Sequence, residues 1–112
     1  MKKIEAYIQP FMLEKTEAGL RAKHVYGMTV FDARGFGKEK DESYPHHAVD
    51  FITVFTPKIK IEIYCNDEEA DSIAEIIRVN AHTGRRGDGK IFISPVESVI
   101  SIRTGENGKK AL

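Results

Sequence analysis

The feature that most constrains this chain is a strict alternation of isoleucine with charged side chains at residues 58–63, which read Lys-Ile-Lys-Ile-Glu-Ile. Successive side chains of a β-strand point to opposite faces, so the alternation predicts a strand over residues 58–65 with its isoleucines inward. Residues 2–9 repeat the period of two until Pro10 ends it. Both segments therefore need an apolar layer to cover one face.

Two further segments have the composition of surface helices. Residues 11–24 combine good helix formers with mixed charges, although Gly19 costs about 1 kcal/mol of helix stability. The second helix is predicted to run to about residue 81. It begins after Asn66, which forms a capping-box pattern with Glu69. Its predicted inner side is Ala70, Ile73, Ala74, Ile76 and Ile77.

Residues 28–36 and 90–102 also have strand character, the latter as one strand or as two around Pro95. The complete order is therefore strand, helix, strand, strand, helix, strand. This order predicts an α+β fold, a ferredoxin-like βαββαβ sandwich with two helices on one face of an antiparallel sheet. We expect the opposite face to be covered as well, since the strands are rich in isoleucine. Oligomerisation through the sheets would supply that cover.

Composition predicts one soluble domain over residues 1–112. Seventeen basic and seventeen acidic residues give zero formal net charge, which argues against a nucleic-acid partner. The single cysteine, Cys65, fits a reducing compartment and is predicted to be buried. We expect a cytoplasmic protein without membrane insertion, because no apolar stretch is long enough to span a bilayer and no secretory h-region follows Met1.

Residues 83–90, here called the glycine loop, read Thr-Gly-Arg-Arg-Gly-Asp-Gly-Lys. Backbone N–H groups in such a loop can converge on an anion, and the two arginines and Lys90 carry charge that matches phosphate. A plain helix-to-strand turn is the alternative. The Walker and dinucleotide fingerprints do not apply, because they need a strand before the loop and a helix after it.

The chain resembles the PII signal-transduction proteins over its whole length. The resemblance rests on T-G-R-R-G-D-G-K-I-F-I-S-P-V at residues 83–96, M-K-K-I-E-A-Y-I-Q-P-F at the start, G-M-T-V-F-D-A-R-G-F-G ending at Gly37, P-K-I-K-I-E-I around Lys58, and I-R-T-G-E near the end. It implies a homotrimer with adenine-nucleotide sites for ATP, ADP or AMP between subunits, magnesium accompanying ATP, and a long T-loop at about residues 37–57.

The resemblance also assigns roles to residues. Gly87, Asp88, Gly89 and Lys90 would wrap the phosphates, and Arg103 would reach across to their oxygens. Adenine contacts fall on Thr29, Glu62 and Tyr64, and the base of the T-loop falls on Gly35, Gly37 and Lys38. Glu39 and Lys58 are candidates for holding a second effector.

The T-loop departs from the family pattern. Where the family runs tyrosine, basic, glycine, small, acidic or small, tyrosine, residues 46–51 read His-His-Ala-Val-Asp-Phe. Phe51 has no hydroxyl, so the uridylylation of many bacterial members cannot occur there, and Tyr44 is out of register. His46 and His47 are predicted to be solvated residues, with a metal-responsive loop as the alternative.

Two further departures concern ligands. Glu39 stands where many members have a glutamine that helps to hold magnesium and 2-oxoglutarate. A carboxylate at this position can bind magnesium but repels a dianion. Lys58 remains available as a partner for a ligand carboxylate. Ser101 replaces an arginine beside the phosphates. We therefore expect ADP or AMP to compete better against ATP than in a typical member.

The leading functional prediction is a non-enzymatic sensor of the adenylate state that regulates a membrane transporter or metabolic enzyme through its T-loop. A slow ATPase is the rival, although the sequence offers no nucleophile with an obvious base, and His24 and His82 are predicted to lie on the surface. A sensor of bicarbonate or a metal outside nitrogen control and a purely structural trimer are further alternatives.

Overall fold

The structure is a computed structural model that describes residues 1–37 and 55–112. It contains four strands and two helices in the predicted order, which confirms the α+β ferredoxin-like fold. Single 3₁₀ turns at Pro10–Met12 and Gly108–Ala111 complete the described elements. The bounds are β1 (Lys2–Ile8), α1 (Leu13–Ala22), β2 (Thr29–Gly35), β3 (Thr56–Cys65), α2 (Asp67–Ala81) and β4 (Gly89–Pro95).

The four strands form one sheet in the order β2-β3-β1-β4, and every neighbouring pair is antiparallel. Ile4 of β1 lies opposite Ile63 of β3 on one side and Ile93 of β4 on the other. Residues directly opposite one another share a face, so this register places the isoleucines of all three strands on the face that the helices cover.

The core is the layer between that face and the helices. Its largest fully buried side chains are Ile4, Ile8, Leu20, Ile61, Ile63, Ile77 and Thr16. Cys65 is buried, as predicted. All strand isoleucines face the helices. The second face, called the open face below, carries charged residues together with aromatic rings, since Phe31 lies opposite Lys60 and Phe92 lies opposite Glu5. Both rings are exposed, so apolar area does remain on this face, as expected, although it is aromatic and not isoleucine.

Several predicted boundaries shift for local reasons. Helix α1 begins only at Leu13, because Pro10–Met12 forms a 3₁₀ turn. It ends at Ala22, two residues before the predicted end, and His24 adopts the left-handed conformation (φ 63°) just after it. Gly19 is a packing residue, since an added Cβ would lie 2.4 Å from the side-chain nitrogen of Asn80 on α2.

The start of α2 differs from the predicted capping box. Asn66 is the N-cap residue, but its side chain makes no capping hydrogen bond; its Nδ2 donates to Glu69 Oε1 at 3.4 Å. The terminal ammonium of Met1 binds Asp67 Oδ1 at 2.8 Å instead. This hydrogen bond lowers the pKa of Asp67. The first residue of the chain therefore anchors the first turn of α2.

None of the helices in the described residues has the length and apolarity that a bilayer crossing needs. Across residues 1–37 and 55–112, no three histidine, cysteine, aspartate or glutamate side chains are grouped so that they could hold a metal ion.

Candidate functional site

The glycine loop connects α2 to β4 and has an unusual backbone. Gly84, Gly87 and Gly89 have φ angles of 87°, 92° and 109°, in the left-handed region that side chains disfavour. At Gly89 an added Cβ would lie 1.6 Å from the backbone oxygen of Tyr7. Only glycine can therefore bring the loop this close to strand β1.

Asp88 holds the loop in shape from within. Its Oδ2 accepts hydrogen bonds from the backbone N–H groups of Thr83 (2.8 Å) and Gly84 (2.9 Å), and its Oδ1 accepts one from the Thr83 hydroxyl. Partial burial by itself raises the pKa of Asp88, but these hydrogen bonds outweigh it and leave the pKa below its usual value. The carboxylate is committed to the loop, which makes Asp88 a residue that shapes the site.

The carbonyl of Gly87 ties the loop to the body of the protein. Gln9 Nε2 donates to it at 2.7 Å and Lys58 Nζ donates to it at 3.1 Å. Lys58 is only 8% exposed, so its ammonium is held in place by the surrounding chain. Sequence reasoning did not select Gln9, and the only signal was its position between the end of β1 and Pro10.

Three cavities touch the loop; one of about 340 Å³ lies on its helix side, beside Ile77 and Ala81, and the other two concern the candidate residues. One has a volume of about 500 Å³ and is lined by Tyr7, Arg85, Gly87, Asp88, Gly89, Lys90 and Phe92. The other, of about 160 Å³, is lined by Tyr7, Gly35, Phe36, Lys58 and Gly89. The fold thus brings Gly35 and Lys58 together with Gly89 of the glycine loop.

The remaining described candidates lie toward the other end of the sheet. Gly89 pairs with Ile8, which pairs with Ile59, whereas Thr29 pairs with Glu62, and Tyr64 lies two residues further along β3. Tyr64 donates its hydroxyl hydrogen to Glu62 at 3.2 Å. Thr29, Glu62 and Tyr64 line none of these three cavities.

Arg103 is carried by the C-terminal turn, beyond the end of β4. The N–H of Ser101 donates to the Glu106 carbonyl at 2.8 Å, and the Ser101 hydroxyl accepts from the Thr104 N–H at 3.4 Å. Ser101 therefore stabilises the turn that presents Arg103. Ile102 beside it is fully exposed.

A network of charges crosses the open face, between the glycine-loop end of the sheet and the end that carries Thr29, Glu62 and Tyr64. Glu62 binds Lys60 at 2.8 Å, Lys3 binds Glu5 at 3.0 Å, and the Tyr7 hydroxyl donates to Glu5 at 2.7 Å. The hydrogen bond from Tyr7, together with Lys3, lowers the pKa of Glu5, and the hydrogen bond from Lys60 lowers the pKa of Glu62. Both carboxylates are therefore charged at neutral pH.

The other predicted candidates lie on the surface or outside the described residues. Gly37 is the last described residue before the gap. Next to it, Phe36 packs edge-on against Phe55, with ring centroids 5.3 Å apart. His24 and His82 are exposed, as predicted. The positions of Lys38, Glu39, Tyr44, His46, His47 and Phe51 lie outside the described residues.

Comparison with known proteins identifies the family. The family described as "Nitrogen regulatory protein P-II" matches residues 1–106. The proteins of that name from Rhizobium meliloti (strain 1021) and Azospirillum brasilense are 46% and 45% identical to this chain over 112 residues, the full length of both partners in each case. A crystal structure of Arabidopsis thaliana PII bound to citrate superposes with a TM-score of 0.80 at 37% identity, covering 99% of this chain and 91% of that one.

The fold, the shaped glycine loop and these similarities define a regulatory signal-transduction protein. The chain belongs to the P-II family of nitrogen regulatory proteins. The recognition made from its sequence motifs is thereby confirmed.

Proposed function

We propose that this protein is a PII-type sensor that binds ATP, ADP or AMP at the glycine loop and regulates a transporter or metabolic enzyme through the segment at about residues 37–57. The proposal treats residues 1–112 as one domain and the protein as non-enzymatic. The proposed regulation does not involve uridylylation at residue 51, because Phe51 has no hydroxyl that could accept the uridylyl group.

The observation that carries this proposal is the 500 Å³ cavity at the glycine loop. Its volume falls within the range of small-ligand sites, about 300–1,000 Å³. Its walls combine the backbone of Gly87 and Gly89, the cations Arg85 and Lys90, and the rings of Tyr7 and Phe92. A ligand with an anionic end and a flat apolar body, such as an adenylate, matches this combination.

The separation of the candidate residues favours a site shared between subunits. One chain supplies the loop end, with Gly35, Gly37, Gly87, Gly89 and Lys90, while Thr29, Glu62 and Tyr64 sit elsewhere on the sheet. The charge network of the open face occupies the space between them. We propose that the second group, with Arg103, completes the site of a neighbouring copy.

The sheet edges support a closed trimer. Strands β2 and β4 are the outer strands in the described part of the chain, and they differ in sequence. Pairing of different surfaces head to tail produces a ring when the rotation closes. Phe31 near one edge and Phe92 near the other are 41% and 54% exposed, which provides apolar area for such contacts.

Calorimetric titration with ATP, ADP and AMP tests the proposal. Lys90→Gln is expected to lower nucleotide affinity about tenfold or more, because a charge-assisted hydrogen bond to phosphate contributes about 1.5–3 kcal/mol. Lys110→Gln is the control, since Lys110 is an exposed lysine in the C-terminal 3₁₀ turn. Absence of heat with all three nucleotides would refute the function. A strong preference for ATP over ADP would refute the role given to Ser101.

A second ligand class is favoured by one observation. The related Arabidopsis thaliana structure is described as bound to citrate, and here the buried ammonium of Lys58 lines the 160 Å³ cavity. We propose that a small carboxylate binds there alongside magnesium and ATP, sharing Lys58 with the Gly87 carbonyl. Titrations of citrate and 2-oxoglutarate with and without Mg-ATP test this, with Lys58→Gln expected to abolish any response.

A further inference from the structure

We propose that Thr83 is a positioning residue of the glycine loop, whose hydroxyl holds the Asp88 carboxylate back from the phosphates of a bound nucleotide. The inference rests on the proposed nucleotide function. It adds to that function a residue that does not line the 500 Å³ cavity. It also explains how a loop that receives an anion can contain an aspartate.

Asp88 brings a negative charge to the proposed anion site. Among the described residues that line the 500 Å³ cavity, Asp88 is the only acid, and Arg85 and Lys90 are the cations. Burial by itself raises the pKa of Asp88, but hydrogen bonds outweigh it and leave the pKa below its usual value, so the carboxylate is charged at neutral pH. Like charges repel at short range, and an unrestrained carboxylate here would oppose phosphate binding.

The carboxylate is held at the end of the loop that follows α2. Its Oδ2 accepts hydrogen bonds from the N–H groups of Thr83 and Gly84, at 2.8 Å and 2.9 Å, and lies 3.7 Å from Nδ1 of His82. Its Oδ1 accepts a hydrogen bond from the Thr83 hydroxyl. None of these three partners lines the 500 Å³ cavity. The negative charge is thus kept beside residues 82–84.

Thr83 has the largest part in this arrangement. It donates to both carboxylate oxygens, and within residues 1–37 and 55–112 its hydroxyl is the only donor to Oδ1. The same hydroxyl oxygen accepts a hydrogen bond from the N–H of Arg85 at 3.2 Å, so it also ties down a residue that borders the cavity. Without this hydroxyl, the carboxylate would be held through one oxygen and could turn toward a ligand.

A double-mutant cycle between Thr83→Val and Asp88→Asn tests the inference. Valine keeps the branched shape of threonine without a hydroxyl, and asparagine removes the negative charge. Calorimetry measures the affinities of AMP, ADP and ATP for the intact oligomer. We expect Thr83→Val to weaken ATP binding about fivefold to thirtyfold, the effect of one lost hydrogen bond. AMP should lose less than ATP, because the repulsion grows with the charge of the ligand.

The charge of Asp88 should account for this loss. In an Asp88→Asn background, Thr83→Val is expected to change ATP affinity by no more than about twofold, since no carboxylate remains to be held back. Thr83→Ser, which restores a hydroxyl, should recover most of the loss. Ser72→Ala is the control, because the Ser72 hydroxyl donates to the Glu69 carbonyl on α2, and it should leave all three affinities unchanged.

Three results would overturn the role of Thr83. One is an equal loss for AMP, ADP and ATP in Thr83→Val, because a merely loosened loop would affect every nucleotide alike. Another is an ATP affinity of Thr83→Val within about twofold of wild type. The third is a loss that persists in full in the Asp88→Asn background, since the hydroxyl would then act without the carboxylate.

Failure of the underlying function gives a different result. If the wild type binds none of the three nucleotides, the nucleotide function and the role of Thr83 fall together. If the wild type binds them and Thr83→Val binds them equally well, only the role of Thr83 is lost. Should Thr83→Val not fold, Thr83→Ala also lacks the hydroxyl and is judged by the same comparison of AMP with ATP.

Discussion

Gly89 shows how a single residue allows the candidate site to exist. The glycine loop passes so close to β1 that a methyl group at this position would overlap the carbonyl oxygen of Tyr7. Its φ of 109° is also one that other residues rarely adopt. Both the close approach and the backbone angle depend on the missing side chain, so the requirement is steric and independent of any ligand.

Gly89→Ala is therefore expected to lower the free energy of unfolding by at least about 3 kcal/mol, through combined overlap and backbone strain. Urea unfolding at fixed protein concentration measures the change. Gly27→Ala is the matched control, because no atom lies within 4 Å of the added Cβ, and it should shift stability by no more than about 0.5 kcal/mol. Equal stability of the two variants would contradict the geometry.

At the scale of elements, the sheet has two faces of opposite character. Strand β3 alternates buried isoleucine with Lys58, Lys60 and Glu62, and β1 does the same with Lys3 and Glu5. The open face is held by ion pairs and by the edge-on contact of Tyr7 with Phe92, whose ring centroids lie 6.3 Å apart. Lys60 also lies 4.9 Å from the ring centroid of Phe31, so the network reaches the edge strand β2.

The open face should make stability depend on pH in the acid range. The pKa of Glu62 is lowered on folding, so its contribution is present above the unfolded value, about 4.3–4.5, and is lost as pH falls through the lower folded value. Glu62→Gln should be less stable than wild type at about pH 7, and the gap should close below about pH 4.

Urea unfolding midpoints across this pH range give the comparison, with the exposed Glu97→Gln as the control. Because other carboxylates also titrate in acid, the informative quantity is the difference between wild type and each variant. A wild-type minus Glu62→Gln difference that is constant with pH would show that the ion pairs of the open face do not stabilise the fold.

At the scale of the whole molecule, the exposed apolar surface of one chain supports the proposed assembly with further copies. Apolar side chains stay exposed at both sheet edges and on the C-terminal turn, where Ile100 is 68% exposed and Ile102 is fully exposed. Arg103 is presented by the same turn, away from the glycine loop of its own chain. An isolated subunit would thus leave both apolar area and a candidate phosphate ligand unused.

Ile102→Ser is expected to weaken assembly and, with it, nucleotide binding, because the proposed nucleotide site is completed by a neighbouring chain. Sedimentation equilibrium measures the assembly, and calorimetry with ADP measures the site. Val79→Ser is the control, since Val79 is 53% exposed on α2 and should affect neither. Unchanged sedimentation of Ile102→Ser would place this residue outside the interface.

The fold could be predicted from the sequence more completely than the candidate site. The fold was accessible because the Ile59, Ile61 and Ile63 alternation and the spacing of Ile73 and Ile77 are local patterns that specify a strand and a helix directly. The glycine loop was accessible for the same reason. The hydrogen bond from Gln9 to the loop could not be predicted, because it joins residues that are 78 positions apart in the sequence. The roles of Asp88 and Ser101 could not be predicted either, because they depend on hydrogen bonds that residue type alone does not indicate.

Local side-chain periodicity and the placement of glycine were by themselves sufficient to determine the elements, their order and the position of the loop. Only the tertiary structure decided which strands are neighbours, so that the isoleucines of three strands share one face, and that the candidate residues divide between two regions of the sheet. Strand register is the physical reason, since pairing between distant segments sets which side chains share a face and which share an end.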